Sequence, residues 1–261
     1  MSHATTFVSP RLTAQAAVDH LEAAAARFSA TIEGDLAAPV PSCPAWDLRA
    51  LTAHLGGVHR WARSALTRPR PEEHRDDGPE PGVDLRAWFA EGVDDLAVTL
   101  RSTDPLTECW TFGPRPRTAA FWFRRQAHET AMHAWDAERA LTDAPQPVDP
   151  ELALDGVDEV VTMFVPRQIL LGRLAPPEQV VELRAVGAQG QFGGPGATWR
   201  LAAAGPPADA APVREPDAVV SAPAATLLLL LWRRIPLDAP GVGIDGDARG
   251  VRDLLASPLT P

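Results

Sequence analysis

Proline-rich segments divide the first 174 residues into stretches with helical periodicity. Apolar side chains recur every three or four residues in each stretch, which predicts amphipathic α-helices. The predicted helices span residues 11–32, 48–66, 83–100, 119–141 and 151–171, and the last should kink near Pro166. Prolines cluster between the helices, in residues 35–45, 102–118 and 143–150, where a helix cannot continue. This alternation restricts the region to a helical bundle.

The sequence pattern changes after residue 174. Residues 180–186 and 197–203 favour β-strands around a glycine-rich turn at 189–196, and two shorter strands are predicted at 218–221 and 242–244. Helices are predicted at 224–233 and 248–255. The chain is therefore predicted to have an α+β fold, with a helical domain over residues 1–174 and a small α+β domain over residues 175–261.

Composition and charge limit the partners and the compartment. The chain has 261 residues, no lysine and a net charge of −10, which argues against a basic nucleic-acid-binding surface. The apolar run 227–232 is far shorter than a membrane span of about 20 residues. Two cysteines, Cys43 and Cys109, fit a reducing compartment and are predicted to be buried thiols. With no signal-peptide pattern at the N-terminus, we expect a cytoplasmic protein without nucleic-acid or membrane partners.

One predicted helix, 119–141, concentrates His128, Glu129, His133 and Asp136. Glu129 and His133 are four residues apart, which places them about 40° apart on one helical face. His128 and His133 are five apart, about 140° round the helix. One metal ion could therefore bind Glu129 and His133, while His128 points elsewhere.

A third metal ligand has to come from another helix. In the helix at 48–66, His54 lies three residues after Leu51 and four before Val58, so it borders the apolar face. His59 is displaced toward the polar side. We therefore predict His54, Glu129 and His133 as the ligands, a set that leaves an open position for catalysis.

Simpler interpretations of the same residues stay open. A histidine on an apolar face can be a hydrogen-bonded core residue without a metal. Asp136 could hold the imidazole of His133 as a hydrogen-bond acceptor, or it could be an exposed helix carboxylate. His59 and His128 are predicted to be surface or packing residues.

Two sequence runs resemble one protein family. Residues 40–61 (VPSCPAWDLRALTAHLGGVHRW) and 125–136 (RQAHETAMHAWD) are similar to the two motifs of the mycothiol-dependent maleylpyruvate isomerase family. That family has a DinB-like four-helix bundle. Residues 218–238, including LLLLLWRRIPLD at 227–238, resemble its C-terminal domain, which is similar to sterol-carrier-type modules.

The resemblance carries expectations about ligands and partners. It implies that His54, Glu129 and His133 bind a divalent metal, zinc in that family, and that mycothiol is the thiol co-substrate. The absence of lysine fits the genomes of the actinobacteria, which make this thiol. Arg234 falls on a family arginine that could bind a carboxylate, and together with Asp136 it is a candidate catalytic residue. Arg233 stands where the family often has glycine.

Three functions remain open at this stage. The first is mycothiol-dependent isomerisation of, or S-transfer to, a small electrophile, with substrate choice made in loops such as 67–82 and 102–118. The second is metal-dependent hydrolysis with Asp136 or His59 as general base. The third is a non-catalytic module that binds a metal or a small molecule. A monomer and a homodimer are both compatible with the sequence.

Overall fold

The computed structural model describes residues 12–71, 78–187, 197–202 and 214–261. These residues fall into two compact units, Leu12–Val148 and Asp149–Pro261. The division lies before the predicted boundary at residue 174, because the helix that follows residue 149 packs on a helix near the C-terminus. The proline-rich break at 143–150, which we treated as a loop within the first domain, separates the units.

The first unit is a bundle of four helices: α1 (Ala14–Thr31), α2 (Leu48–Thr67), α3 (Leu85–Ser102) and α4 (Ala120–Leu141). Helix α1 packs on α4 and α3, and α2 packs on α3 and α4. The side chains of Thr13, Asp47 and Asp84 cap the first three helices by accepting backbone N–H bonds. The predicted four-helix bundle is confirmed.

Helices α2 and α3 approach closely at Gly56, in the middle of α2. A Cβ atom at this position would overlap the indole of Trp88 on α3. The guanidinium of Arg60, one turn further along α2, lies 3.9 Å from the centre of the same indole, so Trp88 contacts two residues of α2. Glycine costs about 1 kcal/mol of helix propensity here, and the close packing of the two helices explains its presence.

We expect Gly56→Ala to destabilise the protein by about 2 kcal/mol, because the added methyl group overpacks the α2–α3 contact. Helix propensity alone predicts the opposite sign. Urea unfolding of Gly56→Ala should be compared in the wild-type and Trp88→Ala backgrounds. The substitution should become neutral or stabilising once the indole is gone, and an equal cost in both backgrounds would argue against the contact.

The second unit begins with an interrupted helix. Helix α5 (Pro150–Glu159) passes through a π-helical turn (Val160–Phe164) into α6 (Val165–Leu170). The π turn comes just before Pro166, which has no N–H to donate and whose ring crowds the preceding helical turn. The wider π turn accommodates this residue. The structure thus has a change of helix type where the sequence predicts a kink.

A four-stranded sheet and two helices complete the second unit. The strands β1 (Val181–Ala185), β2 (Thr198–Leu201), β3 (Ala218–Ala222) and β4 (Gly243–Gly246) are arranged in the order β2-β1-β3-β4. β1 pairs parallel to β3, and the outer pairs are antiparallel. Helix α7 (Ala224–Leu231) follows β3, and α8 (Ala248–Ala256) follows β4. The predicted α+β class is confirmed, while the predicted turn at 189–196 lies outside the described residues.

No helix in the described ranges combines the length and the hydropathy that a membrane span requires.

Candidate metal centre

The N-terminal unit brings His54, Glu129 and His133 together. His54 lies on α2, and the other two residues lie one turn apart on α4. Each side chain offers one ligand atom, and these three atoms lie within 4.8 Å of one another. The packing of α2 on α4 thus joins residues 75 positions apart in the sequence.

The distances in this cluster suit a shared metal ion better than hydrogen bonds. Nε2 of His54 lies 3.4 Å, and Nε2 of His133 3.3 Å, from the same Oε1 of Glu129. Nitrogen–oxygen hydrogen bonds are usually about 2.7–3.2 Å long. Tetrahedral metal bonds of about 2.0–2.1 Å separate neighbouring ligand atoms by roughly 3.3 Å. Two imidazole nitrogens and one carboxylate oxygen therefore fit a divalent ion such as zinc.

Arg125 fixes the orientation of the carboxylate. Its Nη2 donates to Oε2 of Glu129 at 2.8 Å, and Arg125 is only 3% exposed. Burial alone would raise the pKa of Glu129, but Arg125, His133 and His54 outweigh it and hold that pKa well below its usual value. The carboxylate is therefore ionised, with its other oxygen, Oε1, facing the two imidazoles.

Asp136 and Ser42 fix the orientation of His133. Oδ2 of Asp136 lies 3.0 Å from Nδ1 of His133, and Ser42 Oγ donates to the other oxygen at 2.5 Å. Asp136 is fully buried, so it is not an exposed helix carboxylate. Burial opposes protonation of His133, but Asp136 and Glu129 raise its pKa to about 9. A metal at Nε2 would therefore displace a proton.

The loop before α2 forms one wall of the cluster. The ring of Trp46 lies 4.6 Å from that of His54 and 6.2 Å from that of His133, measured between centroids. Backbone hydrogen bonds from Val40 to Trp46 and from Trp46 to Cys43 close this loop. His54 and Glu129 keep 16% and 18% of their side-chain surface exposed, so a small molecule can reach the cluster.

Comparison with known proteins gives consistent matches over both units. The family model described as the mycothiol maleylpyruvate isomerase N-terminal domain matches residues 14–138, and the model for the C-terminal domain of that family matches residues 151–251. The chain belongs to the mycothiol-dependent maleylpyruvate isomerase family. The predicted resemblance is thus confirmed. Comparison with curated proteins found no significant match.

Solved structures share the fold of this family member. A crystal structure of mycothiol-dependent maleylpyruvate isomerase has a TM-score of 0.59 at 15% identity, over 90% of this chain and 93% of that one. A point mutant of such an isomerase has a TM-score of 0.58 at 14% identity, with the same coverage of both chains. At these identities the likeness establishes the fold alone.

Two histidines of the family motifs lie in the core and not in the group formed by His54, Glu129 and His133. His59, which we predicted on the polar side of α2, is fully buried, and its Nε2 lies 2.9 Å from Oγ1 of Thr130. Its ring also packs near Phe89 of α3, because α3 and α4 cover α2 on two sides. Burial lowers the pKa of His59 to about 3, so the ring is neutral. His128 is 2% exposed, which makes it a packing residue and not a surface one.

Arg234 belongs to the C-terminal unit of the family fold. It follows α7, and its Nη1 donates to the carbonyl oxygen of Trp232 at 3.0 Å. The preceding residue, Arg233, has φ 56°, a left-handed conformation that favours glycine. The glycine that the resemblance implies at this position would fit the turn that ends α7.

Three residues that shape the cluster were not assigned to it from the sequence. Arg125 could have been found, because Arg125 and Glu129 are four apart on one helix. Ser42 and Trp46 could not, because their contacts depend on how the loop before α2 folds against α4.

We expect Asp136→Asn to weaken metal binding about 10–100-fold, because an amide orients and polarises the imidazole of His133 less well than a carboxylate. Ser42→Ala should have a smaller effect in the same direction. Metal affinity measured by competition with a chromophoric chelator tests this. Asp95→Asn, in an exposed ion pair with Arg63, is the matched control. An affinity equal to that of the control would contradict the role of Asp136.

Proposed function

We propose that this protein is a metal-dependent enzyme that uses mycothiol to isomerise, or to transfer sulfur to, a small electrophilic substrate. The observation that carries the proposal is the convergence of His54, Glu129 and His133 at the distances of a shared metal ion. Family membership supports mycothiol as the thiol co-substrate. Two free cysteines support a reducing, cytoplasmic location, with the chain acting as a monomer or a homodimer.

The side chains around the cluster each have a definable task. His54, Glu129 and His133 would hold the ion and leave one position open. Arg125 keeps Glu129 ionised, and Asp136 keeps Nε2 of His133 directed at the ion by bonding Nδ1. When bound, a divalent cation such as Zn²⁺ favours the thiolate form of a thiol that is mostly protonated at neutral pH.

The chemistry of a thiolate then accounts for both reaction types. Addition of the mycothiol thiolate to a conjugated double bond creates a single bond that can rotate. Elimination of the same thiolate restores the double bond with the other geometry, so that the product is an isomer and the thiol is regenerated. Displacement of a leaving group by the thiolate gives a thioether instead. The wall formed by Trp46 beside His54 offers an apolar surface for the substrate.

Arg234 is proposed to bind a carboxylate of the substrate or of the thiol. Its guanidinium offers a forked pair of donors that suits a carboxylate. Arg234→Lys should raise KM for an anionic substrate more than it lowers kcat, because the charge is kept and the fork is lost. Equal kinetic constants for the variant and the wild type would exclude this role.

Metal-dependent hydrolysis is less well supported by the structure. Its two candidate general bases are both buried and engaged: His59 with Thr130, and Asp136 with His133 and Ser42. Neither can readily take a proton from a water molecule, since both are buried and already hydrogen-bonded.

The test is turnover of a panel of electrophiles, including maleylpyruvate, by zinc-loaded protein with and without mycothiol. We expect a rate that requires mycothiol, is lost in His54→Ala and is retained in His20→Ala, a histidine on α1 outside the cluster. Thiol-independent hydrolysis would favour the second function. Tight ligand binding without turnover, unchanged after the metal is stripped, would favour the non-catalytic one.

A further inference from the structure

The N-terminal unit contains a second concave site, a cleft of about 520 Å³ between the end of α2 and the loop that precedes α4. Its α2 side begins at Ala65, eleven residues after His54. A helix rises about 1.5 Å per residue, so the cleft starts roughly 17 Å along α2 from the metal cluster. It is therefore a separate site.

The loop that forms the other side of the cleft is held in place by backbone hydrogen bonds and by packing of its tryptophan ring. The backbone N–H of Cys109 donates to the carbonyl oxygen of Arg117 at 3.2 Å, and Glu108 bridges to Thr118. The indole of Trp122 donates to the carbonyl of Trp110 at 2.8 Å. The ring of Trp110 also packs near Trp61 on α2, with centroids 5.6 Å apart. These contacts tie the loop to α2 and α4 and give the cleft a fixed shape.

The charge of the cleft is opposite to that of the whole chain. Three guanidiniums line it, from Arg68, Arg115 and Arg117, against the one carboxylate of Glu108. The chain as a whole carries −10. Neither Arg115 nor Arg117 forms an ion pair with an acidic side chain in the described part of the chain. Two neighbouring guanidiniums such as those of Arg115 and Arg117 suit an anion, because each can donate two parallel hydrogen bonds to a carboxylate or a phosphate.

We propose that this cleft binds a small organic polyanion, either a di- or tricarboxylate or a phosphate ester, independently of the metal centre. Two or more anionic groups match the several guanidiniums, and the indole of Trp110 provides a surface for the carbon skeleton between them. Its lining includes residues 67–69 and residues between 108 and 117, which belong to the two stretches, 67–82 and 102–118, that the sequence associates with substrate choice.

Cys109 is a built-in reporter for this site, because its thiol lines the cleft and is half-buried. Burial raises the pKa of Cys109, so at neutral pH it reacts slowly and its labelling can be timed. Iodoacetamide, a neutral reagent, should be applied to the full-length, metal-loaded protein. Peptide mass spectrometry then reads Cys109 and Cys43 separately. Tricarballylate and fructose 1,6-bisphosphate serve as the carboxylate and phosphate probes, with KCl matching the ionic strength.

We expect at least one probe to slow the labelling of Cys109 about tenfold at saturation. The double variant Arg115→Ala/Arg117→Ala should need at least about tenfold more probe for the same protection of Cys109, because each lost charged hydrogen bond weakens binding. Arg249→Ala/Arg252→Ala, which removes the same charge from exposed positions on α8, should behave like the wild type. The probe that protects Cys109 shows whether the cleft prefers carboxylates or phosphate esters.

No protection by either probe up to about 10 mM would overturn the proposal, since this is already very weak binding for a small ligand. An equal loss of protection in both double variants would also overturn it, because only net charge would then matter. Calorimetric titration of the wild type at two KCl concentrations needs no variant. We expect the affinity to fall with salt, and salt-independent binding would count against the site.

Discussion

His54→Ala should lose more than about a hundredfold in metal affinity while keeping its fold. His54 is the one ligand supplied by α2, and loss of even an outer partner of a metal ligand costs about 10–100-fold. The fold should persist because His54 is partly exposed and α2 is held by a continuous apolar face that includes Leu51, Leu55 and Val58. Competition with a chromophoric chelator measures the affinity, and circular dichroism measures the helix content.

The control for this result is His20→Ala, which removes an imidazole from α1 without touching the cluster. It should bind metal as the wild type does. If His54→Ala retained wild-type stoichiometry and affinity, the three side chains would not be the ligand set. The histidine would then be a hydrogen-bonded packing residue.

Arg125→Ala should destabilise the metal-free protein by about 3–5 kcal/mol. Arg125 and Glu129 form a pair 2.8 Å apart, with side-chain exposures of 4% and 18%. Removing Arg125 leaves only the two imidazoles to offset the burial of the Glu129 carboxylate, which costs far more than the loss of an exposed pair. A cation held by His54, Glu129 and His133 would offset the same carboxylate charge, so metal-loaded Arg125→Ala should lose less stability than the metal-free variant.

Two comparisons separate this effect from a simple loss of packing. Glu129→Gln in the Arg125→Ala background should recover part of the stability, because no buried charge is left unpaired. Arg63→Ala breaks an exposed ion pair with Asp95 and should cost less than about 1 kcal/mol. Urea unfolding gives each value. Equal losses of unfolding free energy for Arg125→Ala and Arg63→Ala would show that the buried pair stabilises the protein no more than the exposed pair.

The parts of the fold that could be predicted depend on local patterns. Helical periodicity and proline breaks located the helices of both units, and Asp47 was identifiable as a cap because its side chain can reach the first free N–H groups. The spacing of Glu129 and His133 fixed their common face. Their helical angles depend on the backbone alone.

The remaining features depend on tertiary packing. The burial of His59 follows from α3 lying over α2, and no pattern within α2 indicates how many helices cover it. Likewise, the sequence leaves Asp136 either a surface carboxylate or a partner of His133. The contact with Ser42 that helps to bury Asp136 depends on how the loop before α2 packs against α4. The boundary at Val148 escaped prediction because α5 has helical periodicity whether it packs on the bundle or on α7.

X-ray absorption spectroscopy of the zinc-loaded protein, before and after addition of mycothiol, directly tests whether two histidines and the thiol bind the same metal ion. We expect a first shell of nitrogen and oxygen atoms at about 2.0–2.2 Å with the scattering pattern of two imidazoles, and a new sulfur atom at about 2.3 Å once mycothiol is present. The sulfur signal should be absent in His54→Ala. A zinc-loaded wild-type protein whose spectrum shows no histidine scattering, or no sulfur after mycothiol is added, would contradict the account.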